Sequence, residues 1–277
     1  MVFLVTGASG HVGRHVVTGL REAGVRVRAT SRAPGDLDLP AGVEAAYGDL
    51  ADPDTLTDAL RGVECAYLFP VPSTAATVAA MAAAAGVRRI VVLSSSSVGE
   101  SDSHSGAHHR AVERAVEAAV PEWTFVRPDE FATNLLWKWG HSIRTRNLVR
   151  APYAAARRTL LHEADVAAVV VAALLEDLHV GQAPELTGPE ALDQVEQVAA
   201  LSAALGREIA FEEVSPEVAR AEMLAAMPAP VVDMVLKYLA ASVDVPPSVL
   251  PTVEKITGKP GRSLLEWARD HAADFTA

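Results

Sequence analysis

Three glycines near the start of the chain have the spacing of a ligand-binding turn. Gly7, Gly10 and Gly13 form a G-x-x-G-x-x-G pattern between a short apolar run and a segment with helical periodicity. The first glycine permits a tight turn, the second lets the backbone approach a diphosphate, and the third lets the helix pack closely. The start of a helix also offers N–H groups and the positive end of its dipole to phosphate oxygens.

This pattern predicts a dinucleotide site, and a glycine turn that only packs is the alternative. The residues predicted to contact the ligand at this turn are Thr6, Gly7, Ser9, Gly10, His11, Val12 and Gly13.

The end of the second predicted strand indicates which dinucleotide binds. An NAD site places Asp or Glu about 20 residues beyond the glycines, where the carboxylate binds the ribose hydroxyls. Ser31 and Arg32 occupy that place here, and a guanidinium suits the 2′-phosphate of NADP. We therefore predict NADP(H) as the cofactor, with Ser31 and Arg32 among its contacts. The alternatives are a solvated Arg32 and a competing acid, Asp36, which lies beyond Pro34-Gly35.

A run of serines and a pair of histidines are the candidates for proton transfer. The serines at positions 94–97 follow the fifth predicted strand, and His108 and His109 lie at the start of the next predicted helix. An imidazole titrates near neutral pH, so His109 is a predicted catalytic residue. The alternatives are serines that only end a strand and histidines on a polar helix surface. No spacing of His, Cys, Asp and Glu indicates a metal site, and no metal is predicted.

Strand-like and helix-like segments alternate along the first half of the chain. Repeated strand–helix–strand units imply parallel strands with helical crossovers, so we predict an α/β, doubly wound parallel-sheet Rossmann fold. Asp52 is the predicted N-cap of a helix that has proline at its first position. The predicted strands are residues 2–6, 25–30, 43–47, 65–69, 89–94 and 123–127, and the predicted helices are residues 12–23, 53–60, 74–85 and 107–119.

The pattern changes after Pro128, and the second half of the chain is mainly helical. We predict one helical stretch at 131–143 and a buried helix at 163–175. The predicted domains are an NADP-binding Rossmann domain at 1–187, in which 131–158 line the substrate cleft, and a small, mainly helical C-terminal substrate lobe at 188–277.

Two aromatic residues of this region, Phe131 and Trp137, are the predicted substrate contacts, while Trp139 faces a different side of a helix. A basic stretch follows them. A solvated face is its default interpretation, and the alternative is a pocket rim that attracts an anionic substrate or a cofactor phosphate. The stretch contains Arg144, Arg146, Arg150, Arg157 and Arg158.

Composition excludes several classes of partner. The 277 residues carry a net charge of −11, whereas nucleic acids and anionic membranes require a basic surface. Cys65 is the single cysteine, so an intramolecular disulfide is excluded, and its apolar strand suggests a buried thiol. No signal peptide is recognised, which predicts a cytoplasmic protein. The predicted partner is a small-molecule substrate. Monomer and homodimer both stay open.

The chain resembles the NmrA-like group of atypical short-chain dehydrogenases/reductases. The resemblance lies in the segments TGASGHVG at 6–13, GDLADP at 48–53, HEADVA at 162–167, ELTGPE at 185–190 and TVEKITGKP at 252–260. It implies a Rossmann fold that binds NADP(H), and it implies cofactor contacts at further positions. Those positions are Asp49 and Leu50 beside the adenine, and Phe69 and Pro70 beside the ribose and nicotinamide. Ser94, the first residue of the serine run, is also predicted to contact the cofactor.

The chain departs from the usual short-chain dehydrogenase pattern at its proton donor. Those enzymes use a Tyr-x-x-x-Lys pair, in which lysine lowers the pKa of tyrosine. Counted from Glu113, Ser105 stands in the tyrosine position and His109 in the lysine position. A histidine there is similar to what NmrA-like quinone reductases show. Short-chain dehydrogenases also use a serine after the fifth strand, and this resemblance implies Ser95 as the second predicted catalytic residue.

These observations predict an NADPH-dependent oxidoreductase that transfers hydride to a small carbonyl, quinone or imine compound. Such an acceptor can take its proton from water, and the hydride chemistry belongs to the cofactor. The missing Tyr/Lys pair keeps two alternatives open. One is a non-catalytic NADP(H)-binding redox sensor, and the other is a redox-neutral epimerase, lyase or cyclase with bound cofactor.

Overall fold

The computed structural model describes residues 1–100, 103–225 and 227–276. By its contacts the chain forms two compact units, each built from three segments. The first unit comprises Met1–Asp129, Glu163–Leu186 and Thr252–Lys259, and the second comprises Glu130–His162, Thr187–Pro251 and Pro260–Ala277. The chain passes from the first unit to the second after Leu186, one residue before the domain boundary predicted after residue 187. Residues 130–162, which fall in the predicted Rossmann domain, belong to the second unit.

The first unit contains a parallel sheet with helices between its strands. Its seven strands, in the described part of the chain, have the order β3-β2-β1-β4-β5-β6-β8, and every neighbouring pair is parallel. The order reverses at β1, as in a doubly wound Rossmann fold, and the predicted fold class is confirmed. The strands are β1 Val2–Val5, β2 Arg26–Ser31, β3 Glu44–Tyr47, β4 Val63–Leu68, β5 Arg89–Leu93, β6 Glu122–Pro128 and β8 Glu185–Leu186.

Apolar side chains fix the helices on this sheet. All five residues of β5 are buried, as expected of a strand that is covered on both faces. Gly19 of α1 lets α1 approach α6 closely, since a Cβ at this position would lie 3.0 Å from Val171 Cγ2. The helices of this unit are α1 His11–Glu22, α2 Ala75–Ala84, α3 His104–Ala119, α6 Glu163–Leu175 and α10 Thr252–Thr257.

The second unit is mainly helical and carries one pair of strands. Strand β7 pairs in parallel with β9. The core of the unit includes Leu135, Trp139, Ile143, Leu201 and Trp267. The elements are α4 Asn134–Lys138, α5 Gly140–Arg146, β7 Leu148–Ala151, α7 Gln194–Leu205, β9 Ala210–Glu213, α8 Pro216–Met223, α9 Ala229–Asp244 and α11 Leu264–Asp270.

Several local predictions were wrong. The helix predicted at 53–60 is only a short 3₁₀ helix, Pro53–Leu56, and Asp52 makes no side-chain cap hydrogen bond. The single stretch predicted at 131–143 is two helices, because the backbone of Trp139 leaves the helical region between α4 and α5. Helix α3 begins at His104 rather than at 107, because Ser103 caps it by accepting a hydrogen bond from the Gly106 N–H.

No helix among the described residues is both long and apolar enough to cross a membrane. Cys65 is buried in β4, as expected, and burial raises the pKa of its thiol.

A glycine contact joins the serine run to α3. Serines 96–97 belong to a 3₁₀ helix, Ser96–Gly99, that directly follows β5. A Cβ at Gly106 would lie 2.1 Å from the Ser97 carbonyl oxygen, so the backbones touch where a side chain would separate them. This contact positions Ser95 and the start of α3 relative to each other.

We expect Gly106→Ala to lower the free energy of unfolding by about 1–3 kcal/mol, because the added methyl group overpacks this contact. Denaturant unfolding followed by circular dichroism measures the loss. Gly99→Ala is the matched control, since a Cβ at Gly99 meets no described atom within 4 Å. Equal losses in the two variants would contradict the contact.

Candidate functional site

The glycine-rich turn between β1 and α1 depends on close backbone contacts. Gly7 has a φ of 61°, a conformation that glycine adopts at little cost, and its carbonyl oxygen accepts a 2.9 Å hydrogen bond from the Gly10 N–H. A Cβ at Gly13 would lie 2.2 Å from this carbonyl oxygen and 3.0 Å from Ala8 Cα. Gly13 therefore lets the helix pack closely against the turn itself.

The start of α1 is left open to a ligand. Gly10 is its N-cap and supplies no side-chain hydrogen bond, so the first-turn N–H groups lack the acceptor that Ser, Thr, Asp or Asn would provide. Ser9, Gly10 and His11 are exposed, while Val12 and Gly13 are buried. A bare, glycine-lined helix start fits the diphosphate of a dinucleotide.

Thr6 acts as a clip between two central strands. Its buried hydroxyl donates to the Tyr67 carbonyl oxygen at 3.0 Å and accepts from the Phe69 N–H at 2.8 Å. Phe69 is 46% exposed and lies against Gly7, where an added Cβ would be 3.3 Å from Phe69 Cβ. The clip therefore places an exposed aromatic ring beside the glycine turn, and Pro70 follows, half-buried.

The end of β2 presents a free guanidinium. Ser31 Oγ accepts a 3.1 Å hydrogen bond from the Ala33 N–H, which turns the chain at the strand end. Arg32 is exposed, and its side chain makes no hydrogen bond or ion pair within the described residues. Its charge is therefore available to an anionic ligand.

The loop after β3 is held by a hydrogen bond within the loop and by one from Thr74. Asp49 Oδ1 accepts from the Ala51 N–H at 2.9 Å, and the Leu50 carbonyl oxygen accepts from Thr74 Oγ1 at 2.6 Å. Both Asp49 and Leu50 are half-buried, so part of each side chain remains accessible to a ligand.

A buried ion pair stands behind the serine run. Ser94 Oγ donates to Glu113 Oε1 at 2.6 Å, and Arg127 binds both oxygens of the same carboxylate at 2.9 and 2.7 Å. The hydrogen bonds that Arg127 donates to Glu113 raise the pKa of Arg127. The Ser94 side chain is thereby committed to the protein interior, and only its backbone could contact a cofactor.

Ser95 caps the 3₁₀ helix that follows. Its Oγ accepts from the Ser97 N–H at 3.2 Å and from Ser97 Oγ at 2.9 Å. Its own hydroxyl hydrogen remains available to a ligand, and the side chain is half-buried. The capping role and a role in binding are compatible, because they use different atoms of the hydroxyl.

His109 has a partly buried imidazole and a lowered pKa. It is half-buried on α3, and its Nδ1 is buried without a hydrogen-bond partner within the described residues. Burial lowers the pKa of His109, the Glu113 carboxylate opposes this effect, and His108 adds to it. The imidazole is therefore neutral near pH 7, whereas its neighbours His108 and Ser105 are exposed.

The second unit contains a pocket of about 270 Å³. Trp137, which is 55% exposed, and the buried Trp139 both line it, while Phe131 instead pairs with Leu161 in a short parallel bridge. The sequence pattern gave no signal for most of its polar lining, although Arg146, Arg150 and Arg158 belong to the basic stretch for which a pocket rim was the alternative interpretation. That lining includes Glu130, Lys138, Ser142, Arg146, Arg150, Arg158, Gln194, Gln197 and Glu222.

Three arginines of the basic stretch are paired with acids rather than simply solvated. Arg158 bonds Glu130, Arg150 pairs with Glu212 and Glu222, and Arg157 pairs with Asp193 and Glu196. No group of three or more His, Cys, Asp and Glu side chains is arranged to hold a metal among the described residues.

Comparison with known proteins identifies the class. The chain matches the NAD(P)H-binding family over residues 7–177, more than half of its length, and it belongs to that family. The prediction of a nicotinamide cofactor is thereby confirmed.

Two full-length relatives are reductases. The (4-alkanoyl-5-oxo-2,5-dihydrofuran-3-yl)methyl phosphate reductase of Streptomyces griseus is 41% identical, over 99% of each chain. The NAD(P)H azoreductase of Xenophilus azovorans is 36% identical, over 100% of each chain. The prediction of an NAD(P)H-dependent reductase is confirmed at the level of this class.

Solved structures share the fold. The NADPH-dependent quinone oxidoreductase of Escherichia coli, complexed with NADPH, superposes with a TM-score of 0.81 at 23% identity, over 98% of this chain and 99% of that one. Citrobacter sp. triphenylmethane reductase, complexed with NADP(H), gives a TM-score of 0.80 at 21% identity over the same shares. The individual cofactor, catalytic and substrate contacts named above stay predictions.

The neutral His109 predicts a pH dependence of stability. As pH falls below about 6.5, the ordinary pKa of histidine, the unfolded chain gains a proton at this position while the folded chain does not, so the free energy of unfolding decreases. His109→Gln removes this contribution. We therefore expect a smaller loss of stability than in wild type between about pH 7.5 and pH 5, measured by denaturant unfolding.

His108→Gln is the control, because it removes an exposed histidine from the neighbouring position of the same helix. It is expected to change the pH dependence less than His109→Gln does, because His108 makes only the smallest of the three contributions to the pKa of His109. Identical pH profiles for wild type and His109→Gln would show that the burial of His109 has no effect on its protonation.

Proposed function

We propose that this protein is an NADPH-dependent reductase that transfers hydride to a small conjugated acceptor, such as a quinone, an azo compound or an unsaturated carbonyl compound. The observation that carries the proposal is the bare, glycine-lined start of α1, where a Cβ added at Gly13 would lie 2.2 Å from the Gly7 carbonyl oxygen. This cradle lies in a chain that two reductases match from end to end.

The chain's own residues would bind and orient the cofactor. The N–H groups of the glycine turn and the α1 start would bind the diphosphate, and Ser31 with Arg32 would bind the 2′-phosphate. Asp49 and Leu50 would contact the adenine, and Phe69 and Pro70 would exclude water from the ribose and nicotinamide. The bound cofactor supplies the hydride.

The few proton-donating groups of the protein suit an acceptor that needs no strong acid. A neutral His109 and the hydroxyl of Ser95 are the predicted groups for holding a proton near the reacting atoms, and no Tyr/Lys pair is present. Quinones and azo compounds accept hydride without a strong acid in the protein, since water can supply the proton. The names of the two relatives, an azoreductase and a reductase of an unsaturated lactone phosphate, support acceptors of this kind.

A panel assay tests the reaction. Purified protein is mixed with NADPH and with quinones, azo dyes, unsaturated lactones and simple aldehydes, and NADPH absorbance is followed. We expect oxidation with one or more of the conjugated acceptors. Tight NADPH binding without oxidation across the panel would favour the redox sensor over the reductase.

A cytoplasmic location and the absence of nucleic-acid partners stay predictions from the sequence.

Arg32→Ala tests the cofactor preference. Loss of a charge-assisted contact of about 1.5–3 kcal/mol is expected to weaken NADPH binding about 10- to 100-fold, with little change for NADH. Titration calorimetry with both nucleotides measures the difference. Arg26→Ala, at the other end of the same strand, is the control for the loss of one positive charge. Equal losses for NADPH and NADH in Arg32→Ala would remove the 2′-phosphate assignment.

A further inference from the structure

We propose that the pocket of the second unit binds the anionic group of the substrate, a carboxylate or a phosphate ester, through the terminal nitrogens of Arg158. The inference names the substrate class of the proposed reductase and, in that sense, rests on the proposed function. It concerns residues that are all within the second unit.

Arg158 is held rigidly but is not fully satisfied. Only 6% of the residue is exposed, and its Nε donates to Glu130 Oε2 at 2.8 Å. Its backbone pairs with Leu192 through two hydrogen bonds, and its guanidinium carbon lies 3.2 Å from the centre of the Tyr238 ring. Across residues 1–100, 103–225 and 227–276, its Nη1 and Nη2 find no hydrogen-bond acceptor.

The buried charges around Arg158 leave a positive excess. Glu130 is a single carboxylate shared by two cations, Arg158 and Lys138. Burial raises the pKa of Glu130, but these two cations outweigh that effect and hold the pKa below its ordinary value. The carboxylate is therefore ionised, and one positive charge of the group is uncompensated at neutral pH.

The other charged groups that line the pocket do not remove this excess. Arg150 pairs with Glu212 and Glu222, and Arg146 donates only to Ser142 Oγ within the described residues. Among the described lining residues the cations outnumber the carboxylates, although the chain as a whole has a net charge of −11.

A ligand oxyanion would complete this arrangement. The terminal N–H groups of this guanidinium have no acceptor among the described residues, and two oxygens of a carboxylate or phosphate match the geometry of its paired nitrogens. Tyr238 limits the approach to the plane of the guanidinium. Carboxylates and phosphate esters share this chemistry, so both are tested.

The remaining walls of the pocket suit a ring system. These walls are mostly apolar. The pocket volume of about 270 Å³ is near the small end of the range for ligand pockets, and this size favours a ligand with one or two rings. The apolar lining includes Leu135, Trp137, Trp139, Val149, Met223 and Leu239.

Binding of matched ligands tests the proposal. Wild-type protein is saturated with NADP⁺, so that the phosphate-binding turn of the first unit is filled, and is then titrated in a calorimeter with 2-naphthoate, 2-naphthyl phosphate and neutral 2-naphthamide. We expect at least one anion to bind about 10- to 100-fold more tightly than the amide. Equal affinities, or anion binding that disappears when NADP⁺ is present, would overturn the proposal.

Variants assign the effect to Arg158. Arg158→Gln should abolish the preference for the anion, and Arg158→Lys, which keeps the charge beside Glu130 but removes the paired nitrogens, should retain only part of it. Arg157→Gln is the matched control, because Arg157 bonds the Ala191 carbonyl oxygen and pairs with acids outside the pocket lining. An anion preference that survives in Arg158→Gln, with unfolding curves like those of wild type, would also overturn the proposal.

The test separates this inference from the proposed reductase. Binding is measured without turnover, and NADPH affinity is titrated independently. For turnover, 1,2-naphthoquinone and its 4-sulfonate are compared, and Arg158→Gln should raise the ratio of KM for the sulfonate to KM for the neutral quinone. Arg157→Gln should leave this ratio at its wild-type value. A wild type that oxidises no NADPH but prefers the naphthalene anions would reject the reductase and keep the anion site.

Discussion

The contact between Gly13 and the Gly7 carbonyl group is the constraint on which the cofactor cradle depends. With hydrogen at the Cα of Gly13, the first turn of α1 comes down on the end of β1, and the uncapped N–H groups converge at the sheet edge. Any side chain at this position would collide with the backbone at 2.2 Å. The fold therefore gives up a stabilising cap at the start of α1 and leaves a place where a ligand's phosphates can satisfy the same groups.

Both units place ionised groups in nearly dry surroundings and satisfy them unequally. Glu113 is fully occupied, because Arg127 and Ser94 bind both of its oxygens. Such a pair rigidifies the region behind the serine run. Glu130 is shared between two cations, so Arg158 retains donors that the protein does not use. In a low dielectric, the first arrangement is structural, whereas the second favours an anion from outside.

The chemistry assigned to this chain requires little acid or base from the protein. The usual Tyr/Lys pair is replaced by Ser105, which is exposed, and by His109, whose burial keeps it neutral. A reductase of this kind works mainly by holding a reduced nicotinamide and an acceptor together and by excluding water. Selectivity among acceptors then depends on pocket shape and on fixed charges such as that of Arg158.

The sequence by itself determined the parallel sheet, the glycine turn and the cofactor class, because each is encoded in residues that are neighbours along the chain. The glycine spacing takes its meaning from the strand before it and the helix after it, and both are visible in the local sequence. Even the absence of an acid after β2 was visible without coordinates, as was the missing Tyr/Lys pair.

Only the tertiary structure decided which charges are buried and which surround a ligand. Arg157 and Arg158 are adjacent in a basic stretch, yet one pairs with acids on α7 and its cap, and the other lies beside Glu130, 28 residues away. Likewise, the serine run and Glu113 meet only because β5, α3 and β6 pack together. Burial and electrostatic pairing act through space, so they depend on contacts between segments whose separation along the chain carries no local signal.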